Sequence, residues 1–128
     1  MIVLFVALGC AFGGITRYLA TSFISRVYGE RFPWGTLAVN ALGSFLLGLV
    51  LAWSSTQGVD SSNGSSAYAL LGVGFCGGLT TFSTFSMETY SFVARSSWAR
   101  ALLNVLGSVC ICALCVVSGF ALGELWAQ

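Results

Sequence analysis

Four long apolar stretches divide the chain, from about Ile2 to Ile24, Trp34 to Trp53, Tyr68 to Val93 and Trp98 to Trp126. A helix needs about 20 apolar residues to cross the hydrocarbon core of a bilayer, and each stretch meets that length. Three polar connections separate them: SRVYGERFP, SSTQGVDSSNGSS and ARSSWAR. Pro33 stands where it suits the first turn of the second helix. Trp34, Trp53, Trp98 and Trp126 lie at or near the expected helix ends, where amphipathic rings favour the membrane interface. The second connection is rich in Ser and Gly and reads as a flexible linker. No internal repeat is evident. The pattern predicts a single all-α integral membrane domain over residues 1–128 with four transmembrane helices. The opening MIVLFVALGCAFGG lacks the positive region of a secretory signal, so it reads as the start of the first span.

Composition narrows the function classes. The chain is 57% hydrophobic and 7% charged, against roughly 25% charged in soluble domains. That excludes a water-soluble enzyme with a polar surface and a disordered chain. A net charge of +1 with no basic cluster cannot neutralise a phosphate backbone, which excludes nucleic-acid binding. The five cysteines, Cys10, Cys76, Cys110, Cys112 and Cys115, all sit in apolar runs with no His in the chain. They read as small packing residues rather than a disulfide framework or a metal site. Arg26 and Arg31 fall in the first connection, Arg95 and Arg100 in the third. The positive-inside rule therefore puts these two connections in the cytoplasm and both termini outside.

Polar groups inside a span are costly and hence informative. Arg17 lies well into the first span, behind Gly13-Gly14. It either takes part in function or braces backbone carbonyls. Asn40, in the second span, offers two N–H donors for an interhelical bond or for a pore. Asn104 and Ser108, four residues apart with Cys112 a further four on, make a polar stripe on the fourth span, suited to packing or to an ion track. The densest set is Gly77-Gly78-Leu79-Thr80-Thr81-Phe82-Ser83-Thr84-Phe85-Ser86-Met87-Glu88. Two adjacent glycines invite a helix break near Gly77-Gly78. Broken backbone at membrane depth is tolerated where protein or a watery cavity satisfies it, and such breaks often bind ions. Five hydroxyls follow, and Phe82 and Phe85 share a face at i, i+3. The hydroxyls could instead bond the preceding turn, and the rings could be core. Neutral donors and the partly positive edges of aromatic rings, with few cationic side chains to trap an ion, make a plausible path for a small hydrated anion. The residues alone do not choose the anion.

These residues resemble the Fluc/CrcB family of fluoride channels. The matching stretches are GGxxRY at Gly13–Tyr18, PWGTLAVNALGSFLLG at Pro33–Gly48, GFCGGLTTFSTFSME at Gly74–Glu88 and the ALLNxxGS-type run at Ala101–Ser108. The resemblance covers essentially the whole chain, and GGLTTFSTFS is its most specific element. It implies an antiparallel dimer with two pores, in a bacterial inner (plasma) membrane, that passively exports cytoplasmic fluoride and confers fluoride resistance. Phe82 and Phe85 would turn ring edges to the ion, and Asn40 would donate to it. Ser83, Thr84 and Ser108 would line the path, with Glu88 toward an entrance. The carbonyls of Gly77 and Thr80, from both chains, would hold a central Na+ as cofactor; backbone oxygens suit a hard cation. Arg17 would anchor structure, and Asn104 is assigned a structural place. The partners implied are fluoride, Na+, membrane lipid and a second chain.

Two departures from the family pattern stand out. Many members carry an aromatic residue or His where this chain has Asn104, and some carry Thr where it has Cys112. Dual-topology homodimers should also balance Lys and Arg across the membrane, whereas here the loop arginines fall on one side. The partner is then either an identical chain or an oppositely oriented paralogue. Two other classes remain open: a proton-coupled four-span exporter, for which the first span has no acid and Glu88, alone in the third, is the only candidate, and an accessory membrane subunit. No nucleophile with its base points to an enzyme.

Overall fold

The computed structural model describes residues 1–29, 31–56 and 66–126. Residues 57–65 of the Ser/Gly-rich linker expected between the second and third spans fall outside them, as does Glu30. Among the described residues, four helical segments are long and apolar enough to cross a membrane.

The first span is α1 (Ile2–Tyr28) and the second α2 (Trp34–Thr56). The third is composite: α3 (Ser66–Tyr68), a π-helical segment (Ala69–Cys76), α4 (Gly77–Leu79) and, after two extended residues, α5 (Phe82–Ala94). The fourth is α6 (Trp98–Trp126). α1 continues four residues past the expected Ile24, through the start of the polar connection. It ends at Gly29, whose φ of 77° only glycine adopts readily.

Backbone approaches backbone where glycines face each other. In lipid, helices gain little from burying apolar groups, so small residues that permit close contact carry the packing. α1 docks on the π-helical segment and α4. A methyl group on Gly9 would collide with the Leu70 carbonyl and lie 2.8 Å from Gly74 Cα. One on Gly78 would lie 2.8 Å from Cys10 Cα. α2 packs chiefly on α6, where Gly48 meets the Val116 carbonyl and Gly119 the Phe45 carbonyl. Large apolar side chains point outward from this frame, among them Phe12, Leu19 and Phe23 on α1 and Leu102, Leu114 and Val117 on α6.

The break does not fall at Gly77-Gly78. Both glycines remain helical, and the chain opens three residues later, at Thr80 (φ −81°, ψ 157°) and Thr81 (φ −148°, ψ 120°). Glycine lowers the cost of breaking a helix, but partners for the freed backbone decide where it breaks, and those partners face Thr80 and Thr81. Gly78 instead provides the close approach to α1.

The first and third connections come together at one end of the bundle. The rings of Phe32 and Phe92 stack at 6.3 Å, and Ser25, Pro33, Ser91 and Arg95 line a shared cavity there. The turn from α5 to α6 is tight. Ser97 N–H donates to Phe92 O at 2.8 Å and Ser96 N–H to Val93 O at 2.9 Å. Ser96 sits in the left-handed region at φ 55°, which costs an L-residue roughly 1–2 kcal/mol.

Two stability outcomes follow from this frame. Ser96→Gly raises the unfolding free energy in detergent by about 1 kcal/mol, the strain it relieves. Gly9→Ala lowers it by about 1–3 kcal/mol, because backbone rather than a movable side chain must yield. Thermal or denaturant unfolding followed by circular dichroism measures both.

Candidate functional site

The site is built around the two extended residues, where Thr81 N–H and Thr80 O lose their helical partners while Thr80 N–H keeps its own. Asn40, on α2, meets both backbone groups of Thr81 at once. Its Oδ1 accepts from Thr81 N–H at 2.7 Å, and its Nδ2 donates to Thr81 O at 3.1 Å. Both ends of one amide thus hold one residue, on the two peptide units that flank its Cα. On the far side, Arg17 of α1 donates from Nη1 to Thr80 O at 3.0 Å. The Thr81 hydroxyl then caps α5, accepting from Thr84 N–H at 3.2 Å, as an N-cap threonine does. Thr80 N–H and Thr80 Oγ1 both donate back to Cys76 O at 3.0 Å.

This rearrangement leaves particular carbonyls outside the helical ladder. In a continuous helix Thr81 N–H would serve Gly77 O, and Thr84 N–H would serve Thr80 O. Asn40 and the Thr81 hydroxyl take those donors. Thr80 O receives Arg17 in exchange. Gly77 O receives no replacement from the backbone of the described residues.

The hydroxyl run divides in two. Thr80 and Ser86 bond the preceding turn, Ser86 Oγ donating to Phe82 O at 2.9 Å. Thr81, Ser83 and Thr84 cluster, with Thr81 Oγ1 3.3 Å from Ser83 Oγ and 3.0 Å from Thr84 Oγ1. Phe82 and Phe85 stand side by side on α5, ring centroids 5.7 Å apart and tilted by 45°. Phe82 is 79% exposed in the single chain.

Two cavities flank the break. One, of about 560 Å³, is lined by Asn40, Gly77, Thr80, Phe82, Phe85, Ser108 and Cys112. It brings the second, third and fourth spans to one space, and its wall is mostly apolar. The other, of about 360 Å³, is polar and lined by Arg17, Thr36, Ser83, Thr84 and Glu88 among others. Glu88 also borders the cavity at the loop end, beside Arg95. Thr36 Oγ1 donates to Glu88 Oε1 at 2.6 Å, while Glu88 Oε2 is buried with no partner among the described residues. A buried carboxylate oxygen without a donor is costly, so this end of the polar cavity is suited to water or a transient guest.

Asn104 lies apart from both cavities. It is 2% exposed and donates from Nδ2 to Thr89 Oγ1 at 2.9 Å. Thr36 and Thr89 were not marked by the sequence pattern. Each is one of several hydroxyls on its helix, and only the fold brings it to Glu88 or Asn104. No group of three or more His, Cys, Asp or Glu able to hold a metal occurs among the described residues.

Known proteins resemble the chain along most of its length. The profile described as CrcB-like protein, Camphor Resistance (CrcB), matches residues 4–120. A protein of Hahella chejuensis named fluoride-specific ion channel FluC is 45% identical, with 94% of this chain and 93% of that one covered. Proteins of the same name from Magnetococcus marinus and Shewanella woodyi are each 43% identical, covering 98% and 91% of this chain. With the profile spanning nearly the whole length and the helical frame in place, the chain belongs to the CrcB-like family.

Proposed function

We propose that the chain is a fluoride-selective channel of a bacterial inner membrane, which lets fluoride leave the cytoplasm passively. The observation that carries this reading is the 560 Å³ cavity where Asn40, Phe82, Phe85 and Ser108 meet beside the broken third span. A small anion must exchange its hydration shell for donors and ring edges. This space offers both without a cationic side chain on its wall. The name carried by the relatives, fluoride-specific ion channel FluC, supports fluoride as the anion. Phe82 and Phe85 would present ring edges. The second N–H of Asn40 Nδ2, beyond the one given to Thr81 O, would be a donor to the ion. Ser108, Ser83 and Thr84 would supply hydroxyls, and Glu88 would border an entrance.

The working unit would be an antiparallel pair of chains. An exposed Phe82 and the outward apolar side chains of α1 and α6 leave surface for a second copy as well as for lipid. The carbonyls of Gly77 and Thr80 fit a Na+ ion as far as one chain can. Gly77 O has lost its helical donor, and Thr80 O retains a second lone pair beside Arg17. One chain offers two such oxygens, so a full shell would need the same pair from its partner. Bound there, Na+ would join the two breaks by electrostatic attraction to facing carbonyls. With Arg26 and Arg95 at one end of the bundle, the partner would be an identical chain inserted the other way or a paralogue of opposite orientation.

The direct test is ion efflux from reconstituted vesicles. Fluoride should leave electrogenically when a cation ionophore is added, with no proton gradient, and chloride should not follow. Efflux that tracks a proton gradient would instead indicate a coupled exporter. No movement of fluoride, with a partner chain supplied, would indicate an accessory subunit. Replacing both Phe82 and Phe85 by Ile keeps bulk and removes ring edges. Flux should fall by at least about tenfold, the factor for a barrier rise of ~1.4 kcal/mol, while the dimer still forms on size exclusion.

A further inference from the structure

α5 carries Phe82 and Phe85, yet none of its residues is buried within the chain. At its loop end Phe92 stacks on Phe32 and a tight turn joins it to α6. Toward Phe82 and Phe85 what holds it is a small number of polar attachments: the Asn40 amide at its N-terminal end, Thr36 on Glu88 in the middle, and Asn104 on Thr89. The last of these extends further. Thr89 Oγ1 donates its one proton to Phe85 O at 2.8 Å, which leaves its lone pairs to accept the Asn104 N–H at 2.9 Å. The donors run in one direction, from the α6 amide through the threonine hydroxyl to the carbonyl of Phe85. Hydrogen bonds in such a chain polarise and strengthen each other. Asn104 itself is fully enclosed, so it has little freedom to follow α5 if α5 slides. Ser108 follows Asn104 by one turn on the same face and lines the same cavity as Phe85.

We propose that Asn104 and Thr89 are positioning residues that set the height of the Phe85 ring against Ser108, through the relay Asn104 Nδ2–Thr89 Oγ1–Phe85 O. This rests on the reading of the cavity as the anion path, since Phe85 matters for flux only if the ion passes it. Neither residue touches the ion. Losing either one breaks the same chain, so the effects coincide instead of multiplying.

The test uses the full-length channel with 4-fluorophenylalanine at position 85 for 19F NMR, a second sample labelled at Phe23 as control, and fluoride efflux on unlabelled protein. Thr89→Val is nearly isosteric and removes the hydroxyl; Thr89→Ser retains it; Asn104→Leu removes the donor. Expected are a shifted or broadened resonance at position 85 in Thr89→Val, its return in Thr89→Ser, and no change at position 23. Efflux should fall about tenfold in Thr89→Val and in Asn104→Leu, with the double variant within about twofold of either single. Should Asn104→Leu not fold, the two Thr89 variants carry the test. An unchanged position-85 resonance in Thr89→Val, or losses that multiply in the double variant, would overturn the relay. The spectrum is independent of transport. A responsive resonance in a protein that moves no fluoride upholds the relay and rejects the anion path, while a conducting protein with an unresponsive resonance does the reverse.

Discussion

One side-chain amide holds the architecture of the third span. Two extended residues in the middle of a membrane segment free peptide groups that cannot turn to water, each costing several kcal/mol if left alone. Asn40 meets both groups of Thr81, Arg17 meets the carbonyl of Thr80, and the Thr81 hydroxyl restarts the helix. The break is thus distributed over three spans: α1 and α2 supply the groups that the third one lacks. An apolar replacement at position 40 would leave Thr81 N–H an orphan donor and take a partner from the carbonyl of the same residue. This constraint accounts for a polar residue in the second span independently of any contact with an ion.

The two halves of the third span are anchored by different physics. Before the break, glycines let backbone meet backbone, Gly9 against Gly74 and Gly78 against Cys10, a contact with no freedom to slide. After it, α5 has no residue buried within the chain and is held by directional bonds to α2 and α6, with Phe92 stacked on Phe32 at its far end. Contacts through bonds of defined geometry fix orientation without filling space. That leaves room beside the rings of Phe82 and Phe85, and it accounts for an open cavity next to a tightly packed helix pair.

Much of this was legible in the chain itself. Four apolar runs and three polar connections marked the spans, because a bilayer imposes a length that few soluble folds share. The dense run from Gly77 to Glu88 marked the break to within three residues. Its location at Thr80 and Thr81 was not legible, since it depends on where Arg17 and Asn40 arrive from other helices. For the same reason Thr36 and Thr89 went unnoticed. Both helices carry other hydroxyls, and only the fold distinguishes one that serves its own turn alone from one that also holds a neighbour. The offset of the break from Gly77-Gly78 also separates two uses of glycine. Gly78 is there for proximity to α1, whereas the chain turns aside at residues with ordinary side chains.

The π-helical segment from Ala69 to Cys76 has a bearing on how such a chain can vary. Its hydrogen bonds close over one more residue than those of an α-helix, so it stores a spare residue within the span. A shortening by one there could be absorbed as a return to ordinary helical winding. The ends of the span would hardly shift, whereas the same deletion from ordinary α-helical winding swings everything downstream by roughly 100° about the axis. In that second case Thr80 and Thr81 would face away from Arg17 and Asn40, and the threonine backbone would lose both of its guardians in a single deletion.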